Sequence, residues 1–339
     1  MRSRSRRSSR SSSTIPCSAS GRRSTAPRRP ASRCSRANGW RRRTTKTSRS
    51  DGRSSAETMR TTIRQVVLIA AVLAACGEPP NVEAQQTARS ASLFAAAPTD
   101  QWRLPAQLRE ISGMAVSPDG RLFAHDDERA VIYEIDAARG GVVKTFALGS
   151  PVLQGDFEGL AIAPDGHFWM TTSTGELYRF REGADGAQVS YETFDGGLRE
   201  VCEIEGLAYL PAEESLILAC KQNHARGMRN VVSLYRWRFQ GAAEPWRSLN
   251  ERQVAAATGV EDFRPSSLDI DPQSGRLLLL SARDSALVEI DADGRVVAAR
   301  ALRRHPQPEG VAALPDGSLV IADEGGRGAA LLSRYARAP

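Results

Sequence analysis

From residue 104 onward, apolar and polar positions alternate in short runs broken by Gly, Pro and Asp, the period-two signature of strands rather than helices. One phrase recurs through this region: EISGMA at 110–115, DFEGLA at 156–161, EIEGLA at 203–208, RPSSLD at 264–269 and QPEGVA at 307–312. The phrases are spaced 46, 47, 61 and 43 residues apart, intervals that correspond to the blades of a propeller. The first unit divides into four strands, at 113–117, 121–126, 130–136 and 141–148, with a Pro-Asp-Gly turn after the first. That turn recurs at 164–166 and 315–317, and Pro211 and Pro272 occupy the matching places in the other two units. Helical periodicity is confined to a short stretch around residues 251–258. The pattern therefore predicts an all-β chain: a β-propeller of five four-stranded blades over residues 101–339. The last unit lacks a fourth strand after Tyr335, which residues 101–104 can supply from the N-terminal side to close the ring. The long third interval, residues 223–263, holds either an insertion or part of a sixth blade.

The residues before the repeats are of a different kind. Residues 1–58 contain 17 Lys/Arg against two acids, 16 Ser and almost no aliphatic side chains, so they cannot offset chain entropy by burial and are expected to be disordered. Met59 opens what reads as a true start: Arg60 and Arg64 precede a short apolar run at 66–75, too short to span a bilayer and suited to a signal peptide over 59–75. Leu73-Ala74-Ala75-Cys76 resembles a bacterial lipobox, which implies lipidation of Cys76, a tether over 76–100 and a place in the cell envelope, at the outer membrane or facing the periplasm. The charge changes sign with the composition. Residues 76–339 carry 27 basic and 37 acidic residues, so the net charge of +7 for the whole chain gives no argument for nucleic-acid binding. Nothing in the repeats calls for a second copy, and a monomer is expected.

The repeat itself supplies the candidate chemistry. In a propeller the first strand of each blade lines the central channel, so the position before the repeated Gly forms a ring: Ser112, Glu158, Glu205, Ser266 and Glu309. Three carboxylates at one level repel one another unless a cation sits among them, and oxygen ligands suit Ca²⁺. The alternative is that these side chains cap amides of neighbouring blades. A second ring, at the ends of the second strands, brings in Asp126, Lys221, Arg283 and Glu324. It reads either as an anion or phosphate site beside a cation or as a set of salt bridges. His125 falls in this ring, His167 and His224 in turns and loops, and His305 in a turn near the channel mouth. Pairing the first two strands of unit three places Cys220 nearly opposite Glu205, a few residues from Cys202. The two form a disulfide, which export permits, if their Cα atoms come within about 7 Å, and otherwise remain two buried thiols.

The phrases EISGMA, DFEGLA, CEIEGLAY, LLLLSARDSALVEID and PEGVAALPDGSLVIADE resemble the SdiA-regulated family of exported bacterial β-propellers over residues 104–335. The Glu-Gly-Leu phrases are also similar to those of calcium-dependent β-propeller phytases and the esterase-like phytases. The first resemblance implies the propeller fold and export but no particular activity; beside it stands the reading of a non-catalytic module that binds a small ligand or protein at the channel mouth, with a structural Ca²⁺. The second implies a Ca²⁺-dependent phosphoesterase, from whose denser acidic cluster this chain departs at Ser112, Ser266, Lys221 and Arg283.

Overall fold

A computed structural model describes residues 92–259 and 263–339. Residues 1–58, the 59–75 segment and Cys76 lie outside the described residues. Inside them, five antiparallel sheets follow one another in sequence. Blade one comprises β2 (Ile111–Val116), β3 (Leu122–Asp126), β4 (Val131–Ile135) and β5 (Val142–Leu148), after β1 (Asp100–Arg103). Blade two runs β6 (Phe157–Ile162), β7 (His167–Thr172), β8 (Glu176–Arg181) and, after a short β9 (Ala187–Val189), β10 (Tyr191–Asp195). The short β9 reaches back to pair in parallel with β5 of blade one. Blade three is β11 (Cys202–Leu210), β12 (Ser215–Asn223), β13 (Val231–Trp237) and β14 (Glu244–Asn250). Blade four follows as β15 (Ser267–Ile270), β16 (Leu277–Ser281), β17 (Ala286–Ile290) and β18 (Val296–Ala301). Blade five is β19 (Pro308–Ala313), β20 (Leu319–Asp323) and β21 (Leu331–Tyr335), completed by β1.

The ring closes as the sequence predicts: β1 pairs antiparallel with β21, Trp102 opposite Leu332, so the last blade is finished by the first strand. Among the described residues the long third interval holds no sixth blade. It is filled by β13, β14 and helix α1 (Glu251–Thr258), which packs on β18 and β14 and buries Val254. Asn250 caps the helix by accepting from the Arg252 N–H at 2.9 Å, and Gly259 ends it at φ 75°.

Five hydrophobic clusters hold the molecule together, one between each pair of adjacent blades. Alternate residues of a middle strand serve the two neighbours: Leu277 and Leu279 pack toward blade three, Leu278 and Leu280 toward blade five. A strand buried on both faces becomes a continuous apolar run, which is why 277–280 reads Leu-Leu-Leu-Leu.

The propeller takes in more of the chain than residues 101–339. Phe94 is buried between blades four and five, Leu93 packs against the same cluster, and the Leu93 and Ser92 polar groups bond the Glu289 carboxylate. Residues 92–100 are thus part of the body rather than tether, because Leu93 and Phe94 supply apolar area that the blade-four edge can bury. Among the described residues no helix is long and apolar enough to cross a membrane.

Candidate functional site: an acidic channel mouth

The inner strands β2, β6, β11, β15 and β19 pack side by side around the axis, and the repeated glycine explains how closely. A Cβ on Gly113 would lie 2.8 Å from the Leu160 nitrogen, on Gly159 2.9 Å from that of Leu207, and on Gly206 3.0 Å from that of Leu268. On Gly310 it would lie 2.8 Å from the Ser112 carbonyl oxygen. The glycines therefore let each inner strand lie against the next. A bulge at the residue before the glycine breaks the register of β6, β11 and β19, and these bulged residues are Glu158, Glu205 and Glu309.

The bulges face a cavity of about 150 Å³ at one mouth of the channel, lined by Glu110, Ile111, Ser112, Asp127, Glu158, Glu205, Lys221, Glu309 and Glu324. Six carboxyl groups thus face one ammonium. Lys221 Nζ donates to Glu205 Oε1 at 2.5 Å and lies 3.5 Å from Glu203. Burial works against the Lys221 charge, but Glu205 and Glu203 outweigh it and hold the ammonium more firmly protonated than usual. The carboxylates respond the other way. Burial, then the charges of Glu205 and Asp156, push Glu158 well above the carboxylate range. Burial raises Glu205 as well, with Lys221 pulling it back toward ionisation. Burial and the Glu205 charge push Glu309 up to about 8. Asp127 rises to about 6 through burial and the neighbouring Glu110, and its buried Oδ1 has no hydrogen-bond partner.

The ring read from the sequence is thus brought together in part. Ser112, Glu158, Glu205 and Glu309 line the cavity; Ser266 does not, because its hydroxyl donates to the Pro308 carbonyl at 2.8 Å and ties blade four to blade five. The ties between these two blades at the next level are Ser267 to the Val311 N–H and Asp269 to the Ala313 N–H. Of the second ring, Lys221 and Glu324 line the cavity, Glu324 accepting from the Gln307 amide. Asp126 is buried beside it and engaged by the Arg129 N–H at 2.8 Å and the Tyr133 hydroxyl at 3.2 Å. Its neighbour Asp127 takes the place at the cavity, since successive residues of a strand end point in opposite directions. Arg283 is exposed on the turn after β16 and does not line the cavity, so Lys221 and Arg283 do not form a pair there. Glu110 and Asp127 belong to the site although single-residue reasoning on the ring position passes them over; both flank the repeat positions and were visible as acids next to them.

Two of the histidines are buried. His125 is buried, its Nδ1 donating to the Asp126 carbonyl and its Nε2 accepting from the Gly113 N–H at 3.1 Å; burial pushes its pKa down to about 4 and keeps it neutral. His305 is not an open turn residue. It is buried with Nδ1 2.6 Å from Asp323 Oδ2 and Nε2 2.5 Å from the Tyr335 hydroxyl, because Leu302 carries the turn into the core between blades four and five. His167 starts β7 and faces Asp165. Cys202 and Cys220 form a disulfide across β11 and β12, with Cα atoms 5.9 Å apart; it flanks the bulge that carries Glu205 and adjoins Lys221.

At the opposite mouth the turns after the inner strands converge. Pro118, Pro164, Pro211, Pro272 and Pro315, one from each blade, rim an apolar funnel of about 420 Å³. The channel thus has an acidic end and an apolar end.

Solved structures similar to this one share little sequence with it. A glutaminyl cyclase from Myxococcus xanthus aligns over 71% of this chain and 97% of its own, at 13% identity and a TM-score of 0.46. A PQQ-bound aldose sugar dehydrogenase from Streptomyces coelicolor aligns over 70% and 99%, at 15% identity and 0.44. A virginiamycin B lyase from Staphylococcus aureus aligns over 67% of each chain, at 14% identity and 0.38. Sequence comparison with protein families reaches further than these. Residues 96–327, from just before the closing strand β1 to just past β20 of blade five, match the SdiA-regulated family, and the chain belongs to it.

Proposed function

We propose that this protein is a lipid-anchored binding module of the cell envelope whose acidic channel mouth takes a cation, Ca²⁺ being the first to test. The observation that carries this reading is the excess of carboxyl groups facing one small cavity, six against the single Lys221 ammonium. The donor set fits a hard cation: every ligand on offer is oxygen, and Asp127 keeps a buried carboxylate oxygen without a partner. Among the described residues no three His, Cys, Asp or Glu side chains are gathered as a ready metal cluster, so binding requires Glu158, Glu309 and Asp127 to turn inward and Glu205 to be shared with Lys221. A bound cation lowers the carboxyl pKa values, so protons leave Glu158 and Glu309 as it enters. The phosphoesterase alternative gains no support from the geometry, because Arg283 stands away from the cavity and Lys221 is engaged by Glu205.

The strand β1 runs from the apolar mouth to the acidic one, as its antiparallel pairing with β21 requires, so the described chain begins on the apolar side.

The test is a calorimetric Ca²⁺ titration of chelator-treated protein in two buffers of different ionisation enthalpy. Saturable binding with proton release, lost in Glu158→Gln and retained in Glu213→Gln, is the expected result; Glu213 pairs with Arg236 away from the cavity. Absence of binding, or equal losses in both variants, overturns the cation site.

A further inference from the structure

The apolar funnel carries a feature that the fold does not demand. The third residue after the ring position is Ala115, Ala161, Ala208 and Ala312 in four blades and Asp269 in the fifth. In those four blades this alanine packs into the interface with the next blade. Four blades therefore close without a carboxylate at this level; in blade four Asp269 takes the alanine's place and ties to blade five through the Ala313 N–H, a bond that leaves its negative charge without an opposite one. Asp269 is half-buried, its Oδ2 accepts the Ala313 N–H at 2.7 Å, and its carboxyl forms part of the funnel wall. Among the described residues no Lys, Arg or His lines the funnel with it. Burial raises its pKa to about 7, which marks a carboxylate short of a counter-charge.

The surroundings define what could supply that charge. The rim prolines have fixed backbones and no N–H to donate, so the walls offer apolar contact and few hydrogen bonds. The volume, about 420 Å³, lies within the range of small-molecule sites; its lining is mostly apolar, with Ser117, Tyr209 and Gln273 as polar side chains and Asp269 as the one charged group. Asp269 keeps lone pairs beyond those taken by the Ala313 and Ile270 N–H groups, enough to accept from an ammonium. We propose that the funnel is a second binding site, for a small organic cation with an apolar body and one protonated amine, and that Asp269 holds the ammonium while the proline-rimmed walls cover the body. This site lies at the other end of the channel from the acidic cavity and does not depend on a cation there.

The experiment titrates the full protein at pH 8 with three probes: 2-phenylethylamine, its neutral counterpart 2-phenylethanol, and methylamine, which lacks the apolar body. The expected result is at least tenfold tighter binding of 2-phenylethylamine than of 2-phenylethanol, and no comparable binding of methylamine. D269N, which keeps an oxygen for the Ala313 N–H, should bring the amine and alcohol within about twofold of each other. E309Q, at the acidic mouth, should leave the amine titration unchanged while weakening the Ca²⁺ titration, so failures of the two sites are separable. Equal binding of amine and alcohol, an amine preference that survives D269N, loss of amine binding in E309Q, or no binding of any probe overturns the proposal. Should D269N fail to fold, the unsubstituted protein decides: nuclear Overhauser contacts between the probe's phenyl protons and the Tyr209 ring, a funnel-wall residue, are expected, and their absence overturns it.

Discussion

Replacing Glu309 by Gln isolates the electrostatics of the acidic mouth. Burial and the Glu205 charge raise the Glu309 carboxyl from 4.5 to about 8, so between these values the folded protein holds a proton that the unfolded chain has released. A carboxyl raised in this way stabilises the fold fully below its unfolded pKa, and that contribution is lost as pH climbs through the folded value. Each pH unit in the window corresponds to about 1.4 kcal/mol, which sets an upper limit of about 4 kcal/mol between pH 5 and pH 8. The raised value already contains the opposing pull of Lys221; screening by water in the open cavity reduces the limit further, to about 2 kcal/mol. Gln resembles the protonated acid but carries no charge at any pH. Glu309→Gln is therefore expected to melt within about 1 °C of the unsubstituted protein at pH 5. At pH 8.5, without added cation, it should melt about 4–8 °C higher, at about 2–4 °C per kcal/mol for a body of this size. Scanning calorimetry of both proteins at half-unit pH intervals makes the comparison. Melting curves that stay parallel from pH 5 to pH 8.5 would refute the reasoning, since a packing effect has no reason to follow protonation.

Further expectations follow from the same geometry. Calcium affinity should rise between pH 6 and pH 9, because protons on Glu158 and Glu309 compete with the cation; calorimetry showing pH-independent binding would place the ion elsewhere. Gly206→Ala puts a Cβ 2.9 Å from that of Leu268 and 3.0 Å from its nitrogen, and should destabilise by about 1–3 kcal/mol in chemical denaturation; an unchanged midpoint would mean the inner strands are not in contact. Paired Cys202→Ser and Cys220→Ser substitution removes a bridge spanning 18 residues and should lower stability by about 3 kcal/mol, with no further loss on adding reductant. Deleting residues 92–103 leaves the β21 edge unpaired and uncovers the cluster around Phe94, so soluble monomer should fall sharply on size-exclusion chromatography; a deletion protein eluting as the intact one would contradict ring closure by β1.

Much of this molecule is written along the chain, because propeller blades are local. Each blade folds from consecutive strands, so the repeated phrases, the Pro-Asp-Gly turns and the missing last strand were enough to give five blades and closure through residues 101–104. The glutamates of the phrase could be placed on the inner strands for the same reason, and Glu158, Glu205 and Glu309 do share one cavity. What position in a repeat cannot convey is which way a side chain turns once neighbouring blades press against it. Ser266 turns to the Pro308 carbonyl, Asp126 to Arg129 and Tyr133, and Asp127 takes the cavity instead. His305 disappears into a core formed by two blades. The Asp269 substitution in a ring of alanines was present in the sequence from the start, yet it acquires meaning only when five distant prolines meet around it. Local alternation and turn chemistry determine strands and their order; burial, charge compensation and the second end of the channel arise from residues far apart in sequence, and only the closed ring decides them.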